Sequence, residues 1–322
     1  MEYSTLGRTG LRVSRAGFGG GGIGQVWGPT TEEAAIHSVH RALELGITFF
    51  DVAPAYGDGT AEEALGRALV GRSEEVFVAT KVRLRADEMD DVSGAVRRSV
   101  DASLSRLRRD SVDVLHVHNR FTERRGEVLH SLSGDDVLGP VLDAYKEMQA
   151  AGKTRFIGLS AMDHHVPTMH RLINSGEYDT VLAYYNLLNT TAQLPKPPGA
   201  EVFDNGQIIP LARSQGMGII GIRSHAAGAL TPALDRPPAP GDALMEADLR
   251  KAALLDFLLE GPIETLSQAA MVFSVMNRDI DTTVPGVKNA AEAEETAHCA
   301  DQPPIPEARL QHMRELYERD FC

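Results

Sequence analysis

The sequence predicts an α/β protein of the (β/α)8 TIM-barrel class, with an N-terminal β-hairpin and long loops at the C-terminal face. Three observations carry this. Eight short apolar runs are present, several apolar on both faces as strands of a buried parallel sheet are. Amphipathic helical stretches separate them, and strand–helix alternation builds parallel strands joined by right-handed crossovers. The chain has 322 residues, and a barrel of ~250 residues with insertions absorbs that length as one domain over 1–322. An open doubly wound sheet is the structural alternative.

In chain order, residues up to Ser14 form a hairpin around Arg8-Thr9-Gly10 that would plug the bottom of the barrel. The strands are Ala16–Gly19, Ile47–Asp51, Val76–Thr80, Val112–Val117, Phe156–Leu159, Val181–Tyr184, Gly218–Ile222 and Thr282–Val284. Helices are expected over Thr31–Leu45, Met89–Arg109, Val137–Ala151, Pro167–Asn174, Asp204–Gln215 and Glu264–Asn277. The first opens on Thr30 and Glu33, a capping-box pattern, and stops at Gly46. Pro195–Gly199 and Pro232–Gly241 read as loops after strands, where barrels carry function.

Composition excludes several classes. Hydrophobic residues are 43% and charged residues 24%, as in ordinary globular proteins, so a disordered scaffold is not expected. No apolar run approaches the ~20 residues of a membrane span. The first fourteen residues lack the apolar core of a leader, and two cysteines, Cys299 and Cys322, are too few for a disulfide framework. A cytoplasmic protein is expected. The net charge of −13 argues against nucleic acid as a partner. Oligomeric state is open.

Residues Gly17 to Gly24 read GFGGGGIG, but no helix follows directly. The strand–GxGxxG–helix order of a Rossmann site is therefore missing. The cluster, with Gly20 inside it, reads as a wide loop where backbone lies close to a ligand or another strand.

Barrel chemistry sits at the C-terminal ends of strands. Polar residues collected there are Asp51, Tyr56 in the following loop, Lys81, His116, His118, Asn119, Ser160, Tyr185 and Asn186. Asp51 and Lys81 fall in neighbouring strands within apolar surroundings, and a buried charge needs a partner. A tyrosine with a pKa near ~10 is a poor acid at neutrality, and a nearby cation lowers that pKa. Lys81, held by Asp51, would do so for Tyr56, while a histidine orients a carbonyl oxygen. The set suits protonation of a carbonyl oxygen. No metal is implied, because His116/His118 and His164/His165 lack further ligands at metal spacing.

With those residues in hand, the chain resembles the aldo-keto reductase family over nearly its whole length. The most specific stretch is FFDVAPAYGDGTAEEALGRAL, Phe49 to Leu69. The resemblance implies a catalytic tetrad of Asp51, Tyr56, Lys81 and His118, with Tyr56 as proton donor in hydride transfer between a nicotinamide dinucleotide and a carbonyl. It implies cofactor contacts at Gly20, Ser160, Tyr185 on the nicotinamide, and Arg223, Ser224, Gly228 and Leu230 over the pyrophosphate. Gly286, Lys288 and Glu292 fall at the adenosine phosphate, with NADP(H) favoured over NAD(H). Two carboxamide ligands are replaced, by Ala161 and Leu182. The expected substrate is a small aldehyde, ketone or sugar, bordered by Trp27, Arg83, Asn119, Phe121 and Met162. A cofactor-retaining lyase, epimerase or glycoside-cleaving enzyme and a non-catalytic regulatory subunit are the alternatives.

Overall fold

The computed structural model describes residues 1–72, 75–232, 234 and 242–321. Most of the expected loop at Pro232–Gly241, and Cys322, lie outside the described residues.

Two short strands, β1 (Tyr3–Thr5) and β2 (Arg12–Ser14), pair antiparallel as the expected hairpin. Eight parallel strands follow: β3 (Phe18–Gly19), β4 (Phe49–Asp51), β5 (Phe77–Val82), β6 (Val112–Val117), β7 (Thr154–Ala161), β8 (Thr180–Tyr184), β9 (Gly218–Ile222) and β10 (Thr282–Thr283). Each pairs with the next in sequence. Bridges Ala16–Thr283 and Gly19–Gly286 close the ring between β3 and β10. Gly17 N donates to Thr283 O at 2.8 Å and Gly19 N to Pro285 O at 2.8 Å. The closure needs glycine: a Cβ on Gly19 would lie 2.4 Å from the Pro285 oxygen.

The intervening helices are α1 (Glu32–Glu44), α2 (Thr60–Leu69), α3 (Val92–Leu107), α4 (Gly134–Asp136), α5 (Leu142–Ala150), α6 (Val166–Asn174), α7 (Ile208–Ser214), α8 (Ala243–Ala252), α9 (Leu266–Met276), α10 (Ala290–Ala300) and α11 (Glu307–Glu318). Several differ from expectation for local reasons. Thr31, not Thr30, caps α1 by accepting from Ala34 N at 3.1 Å, while Thr30 donates to Lys288 O at 2.9 Å. The chain between α4 and α5 turns at Gly139 and Pro140, so the expected helix over Val137–Ala151 is a regular α-helix only from Leu142. Gly206 and Gln207 have positive φ, which delays α7 to Ile208. Strand β5 runs two residues past its expected end and includes Lys81.

Side chains alternate about the ring. Phe49, Phe77, Ala79, Val114, Leu182, Ile220 and Val284 fill the barrel interior. Leu6, Leu11 and Val13 of the hairpin segment join that cluster from below and plug the N-terminal end. The outward faces pack on the helices in a larger core that includes Val78, Leu115, Ile157, Val181 and Ile219. This alternation decides which strand-end groups meet at the C-terminal mouth.

Candidate active site

Asp51 is the last residue of β4 and Lys81 the fifth of β5, both on the inward face. Lys81 is 1% exposed and Asp51 3%. Lys81 Nζ donates to Asp51 Oδ2 at 2.6 Å and to Val52 O at 2.8 Å. Burial alone would lower the lysine pKa, but the Asp51 carboxylate and Tyr56 together outweigh it and the net shift is upward. Lys81 is therefore a fixed cation.

The turn after β4 brings Tyr56 over that cation, with Lys81 Nζ 4.8 Å from the ring centroid. Gly24 lies against the Tyr56 backbone and Cβ, within 2.9 Å of where its own Cβ would stand, so the glycine-rich loop packs on the tyrosine turn. Burial pushes the phenol pKa up; Lys81 by charge and hydrogen bond, and Arg223 by charge, pull it back down. The net direction is upward, which corrects the expectation of a lowered value. Lys81 reduces a desolvation penalty and does not turn Tyr56 into a phenolate.

His118 follows β6, and its ring stands edge-on to Tyr56 at 6.0 Å between centroids and 89° between planes. Burial, then the charges of Lys81 and Arg83, lower its pKa from 6.5 to about 3. It is neutral at physiological pH and carries one ring N–H. Asp51, Tyr56, Lys81 and His118 thus converge.

His116 points the same way one layer deeper. It is fully buried, its Nε2 is 3.0 Å from Thr180 Oγ1, and its pKa is held well below the usual range by burial. The ring fits only because the facing residue is Gly158, whose Cβ would lie 2.5 Å from His116 Cδ2. His116 is part of the barrel filling.

Other expected site residues divide. Ser160 is buried on the inward face of β7. Ser224 is buried just beyond β9 and its Oγ lies 3.1 Å from His225 Nδ1. His225 Nε2 is 3.2 Å from Ser267 Oγ, which bonds Glu295 at 2.5 Å. This chain joins the loop after β9 to α9 and α10, and it was not expected from sequence. Gly228 takes φ 107°, a turn conformation that suits glycine. Trp27 spans the mouth: its indole lies against Gly21 and Gly286, 2.9 and 2.6 Å from where their Cβ atoms would be. Arg223 stands 5.4 Å over that indole and its Nη2 is 3.6 Å from Met162 Sδ. Arg83 is exposed beside His118.

Four placements depart from expectation. Tyr185 faces outward and stacks on Phe273 at 5.2 Å and 8°, away from the mouth; the inward residue is Tyr184, one position earlier. Asn119 is buried and holds backbone, accepting from Leu84 N and donating to Leu84 O and His130 O at 2.7–3.0 Å. Leu230 is packed in the outer core. Phe121 is likewise core, pairing across to Leu132. Gly20 N donates to Asp51 O at 2.8 Å, and its Cβ would strike Val52, so it serves close loop–strand packing.

At the start of α10, Asn289 caps the helix by accepting from Glu292 N at 3.0 Å. Glu292 reaches back, accepting from Lys288 N at 2.8 Å and Asn289 Nδ2 at 3.1 Å. Lys288 Nζ lies 3.5 Å from Glu292 Oε1. A carboxylate that caps its helix also holds the lysine.

Asp248 of α8 was missed too. Burial pushes its pKa up to about 6, and it feels Arg223 without forming an ion pair with it. Among the described residues no cluster of three or more His, Cys, Asp or Glu could hold a metal, and no helix is long and apolar enough to cross a membrane.

The mouth of the parallel barrel brings together a phenol, a cation held by a carboxylate, and a neutral imidazole, a set that suits an oxidoreductase acting on carbonyl or CH–OH groups. The chain belongs to the aldo/keto reductase family, whose model spans residues 15–318. It is 32% identical to L-galactose dehydrogenase of Arabidopsis thaliana over 302 residues, 92% of this chain and 86% of that one. An aldo-keto reductase of Bacillus halodurans, in its holo form, superposes with a TM-score of 0.73 at 22% identity, covering 98% and 96% of the two chains. An aldo/keto reductase of Klebsiella pneumoniae in complex with NADP and acetate superposes with a TM-score of 0.71 at 17% identity, covering 99% and 96%.

Proposed function

We propose that the chain reduces an aldehyde, ketone or sugar carbonyl with NADPH, Tyr56 donating the proton, and that it does so as one barrel domain. The observation that carries this is Tyr56 over the buried Lys81–Asp51 pair with neutral His118 at its edge.

The residues fit a nicotinamide dinucleotide. Lys288 and the N-terminus of α10 on one side, and Ser224 with the Gly228 turn on the other, would hold its anionic phosphates. Ser160, inward on β7, would hold the nicotinamide end. A bound nicotinamide supplies or accepts the hydride. A Klebsiella relative binds NADP, and Lys288 is a cation suited to a 2′-phosphate, which together favour NADP(H) over NAD(H).

The protein's own part is polar. His118 donates its N–H to the carbonyl oxygen and fixes the face presented. As negative charge develops there, the Tyr56 proton moves to it, and Lys81 stabilises the phenolate left behind. Asp51 keeps Lys81 charged and in place through the whole event. In the oxidative direction the same groups run in reverse.

The test is a carbonyl panel with NADPH and NADH, on the parent and on Tyr56→Phe. The ring and its packing stay while the proton donor goes, so turnover falls by ~10² to 10⁴-fold with cofactor binding retained. Near-parental turnover in the variant removes Tyr56 as the acid.

A further inference from the structure

We infer that the carbonyl substrate carries a negatively charged group, a carboxylate or a phosphate, which Arg223 and Arg83 bind from two sides of the tetrad. This rests on the reductase reading and names its substrate class.

The position of Arg223 follows from the ring. Strands β3 and β7 are four apart in a closed ring of eight, so they stand opposite each other. Arg223, just past β9, touches Trp27 from the loop after β3 and Met162 from the loop after β7. A side chain that reaches both crosses the mouth. Its backbone is held there: φ is 60°, and its carbonyl accepts from Asn186 Nδ2 at 2.8 Å. Arg83 comes from the other side. Lys81 is in register with His116, and His118 N donates to Val82 O at 2.8 Å, so Arg83 runs alongside His118 on the inward-facing parity of β5.

Neither arginine forms an ion pair among the described residues. Arg41, Arg106, Arg155 and Arg213 each hold a carboxylate within 2.9 Å. In a chain with 45 acidic and 32 basic residues, carboxylate partners are abundant. Asp248 lies near Arg223 yet bridges only by field. Tyr56 senses the charge of Arg223, and His118 that of Arg83. Two half-open forks beside the reacting groups match the planar oxygens of a carboxylate or the oxygens of a phosphate. A neutral sugar would gain little from them. The resemblance counts Arg223 among the cofactor contacts, and the test separates that role.

The experiment compares substrate pairs that share the reacting carbonyl and differ by one anionic group: glucuronate with glucose, and glyceraldehyde 3-phosphate with glyceraldehyde. It uses the parent, Arg223→Gln and Arg83→Gln. A second readout is the fluorescence of Trp27, the only tryptophan in the chain, which an anion drawn to Arg223 would perturb. The parent should prefer one charged member in kcat/KM by about 10- to 100-fold, the range of a charge-assisted contact. Each variant should lower that preference at least tenfold, and Arg223→Gln should abolish the fluorescence response to the preferred anion. The pair showing the preference distinguishes carboxylate from phosphate. A parent ratio near one for both pairs overturns the inference while leaving the reductase reading in place. So does a preference that survives in both variants, or a loss confined to NADPH affinity in Arg223→Gln. If no carbonyl is turned over, a Trp27 response to the anions and not to their neutral partners supports the site and sinks the reductase reading.

Discussion

Replacing Lys81 by Met removes the cation while keeping most of the stem. Asp51 Oδ2 then loses its 2.6 Å partner, and Oδ1 already has no hydrogen-bond partner. The Val52 carbonyl loses its 2.8 Å donor as well. An uncompensated buried carboxylate costs about 3–5 kcal/mol. Unfolding entropy of ~2.1 cal/mol/K per residue over 322 residues is ~0.7 kcal/mol/K, so the melting temperature should fall by roughly 4–7 °C. The pH dependence has a definite sign. Burial already raises the Asp51 pKa above its ordinary 3.8, and Lys81 is what lowers it. In the variant the folded pKa lies higher still. Stability from the neutral carboxyl is complete below the unfolded value and is lost as pH rises through the folded one. The deficit against the parent should therefore narrow in acid. Thermal melts of the parent, Lys81→Met, Asp51→Asn and the double variant form the assay. The double variant should recover at least half the deficit and no activity. A double variant that melts as low as the two single losses combined would refute the coupling.

Further outcomes follow from the same geometry. His118→Ala should lower turnover far more than His116→Ala, which instead opens a hole over Gly158, strands the Thr180 hydroxyl and lowers the melting temperature; the reverse order would place the working imidazole one layer deeper. Because His118 stays neutral down to about 3, kcat/KM for reduction should show no ionisation step near pH 6.5. A step there that disappears in His118→Ala would contradict the neutral imidazole. Lys288→Met should raise the NADPH dissociation constant about tenfold and the NADH constant little, the share of a charge-assisted contact. Glu292→Gln keeps one of the two bonds that Glu292 accepts from Lys288 N and Asn289 Nδ2, removes the charge beside Lys288, and should tighten NADPH; equal effects on both cofactors in titration would move the pair away from the ribose.

The fold and the Asp51–Lys81 pair were legible because both rest on residue types that cannot be placed elsewhere. Apolar runs such as VDVLHV bury on two faces only inside a covered parallel sheet, and an Asp and a Lys within such runs must find each other. What was illegible depends on register. Tyr184 and Tyr185 are adjacent and chemically identical, so type alone cannot tell which faces the mouth. Only the pairing of Tyr184 with Ile222, in step with Leu182 and Ile220, decides it. Asn119 looked like a site residue because it follows His118, but one step along the chain turns it into the neighbouring loop. Helices α2, α8, α10 and α11 escaped; the apolar face of α10, for one, is thin, since Ala290–Ala300 is built largely from alanine and glutamate. The chain of Ser224, His225, Ser267 and Glu295 joins residues 71 positions apart, a proximity that local pattern does not contain.

The closure of the ring also bears on how the chain is made. Arg15 and Gly17 bond Thr283, Gly19 bonds Pro285 and Val287, and Ser4 and Gly7 reach Asp281. During synthesis the first strand emerges long before its last partner, by roughly 10–50 s at ordinary elongation rates. Throughout that interval one edge of β3 has no strand to bind. A ribosome stalled before residue 280 would hold an open, sticky sheet, and both β3 and β10 must be made before the mouth exists as a closed ring.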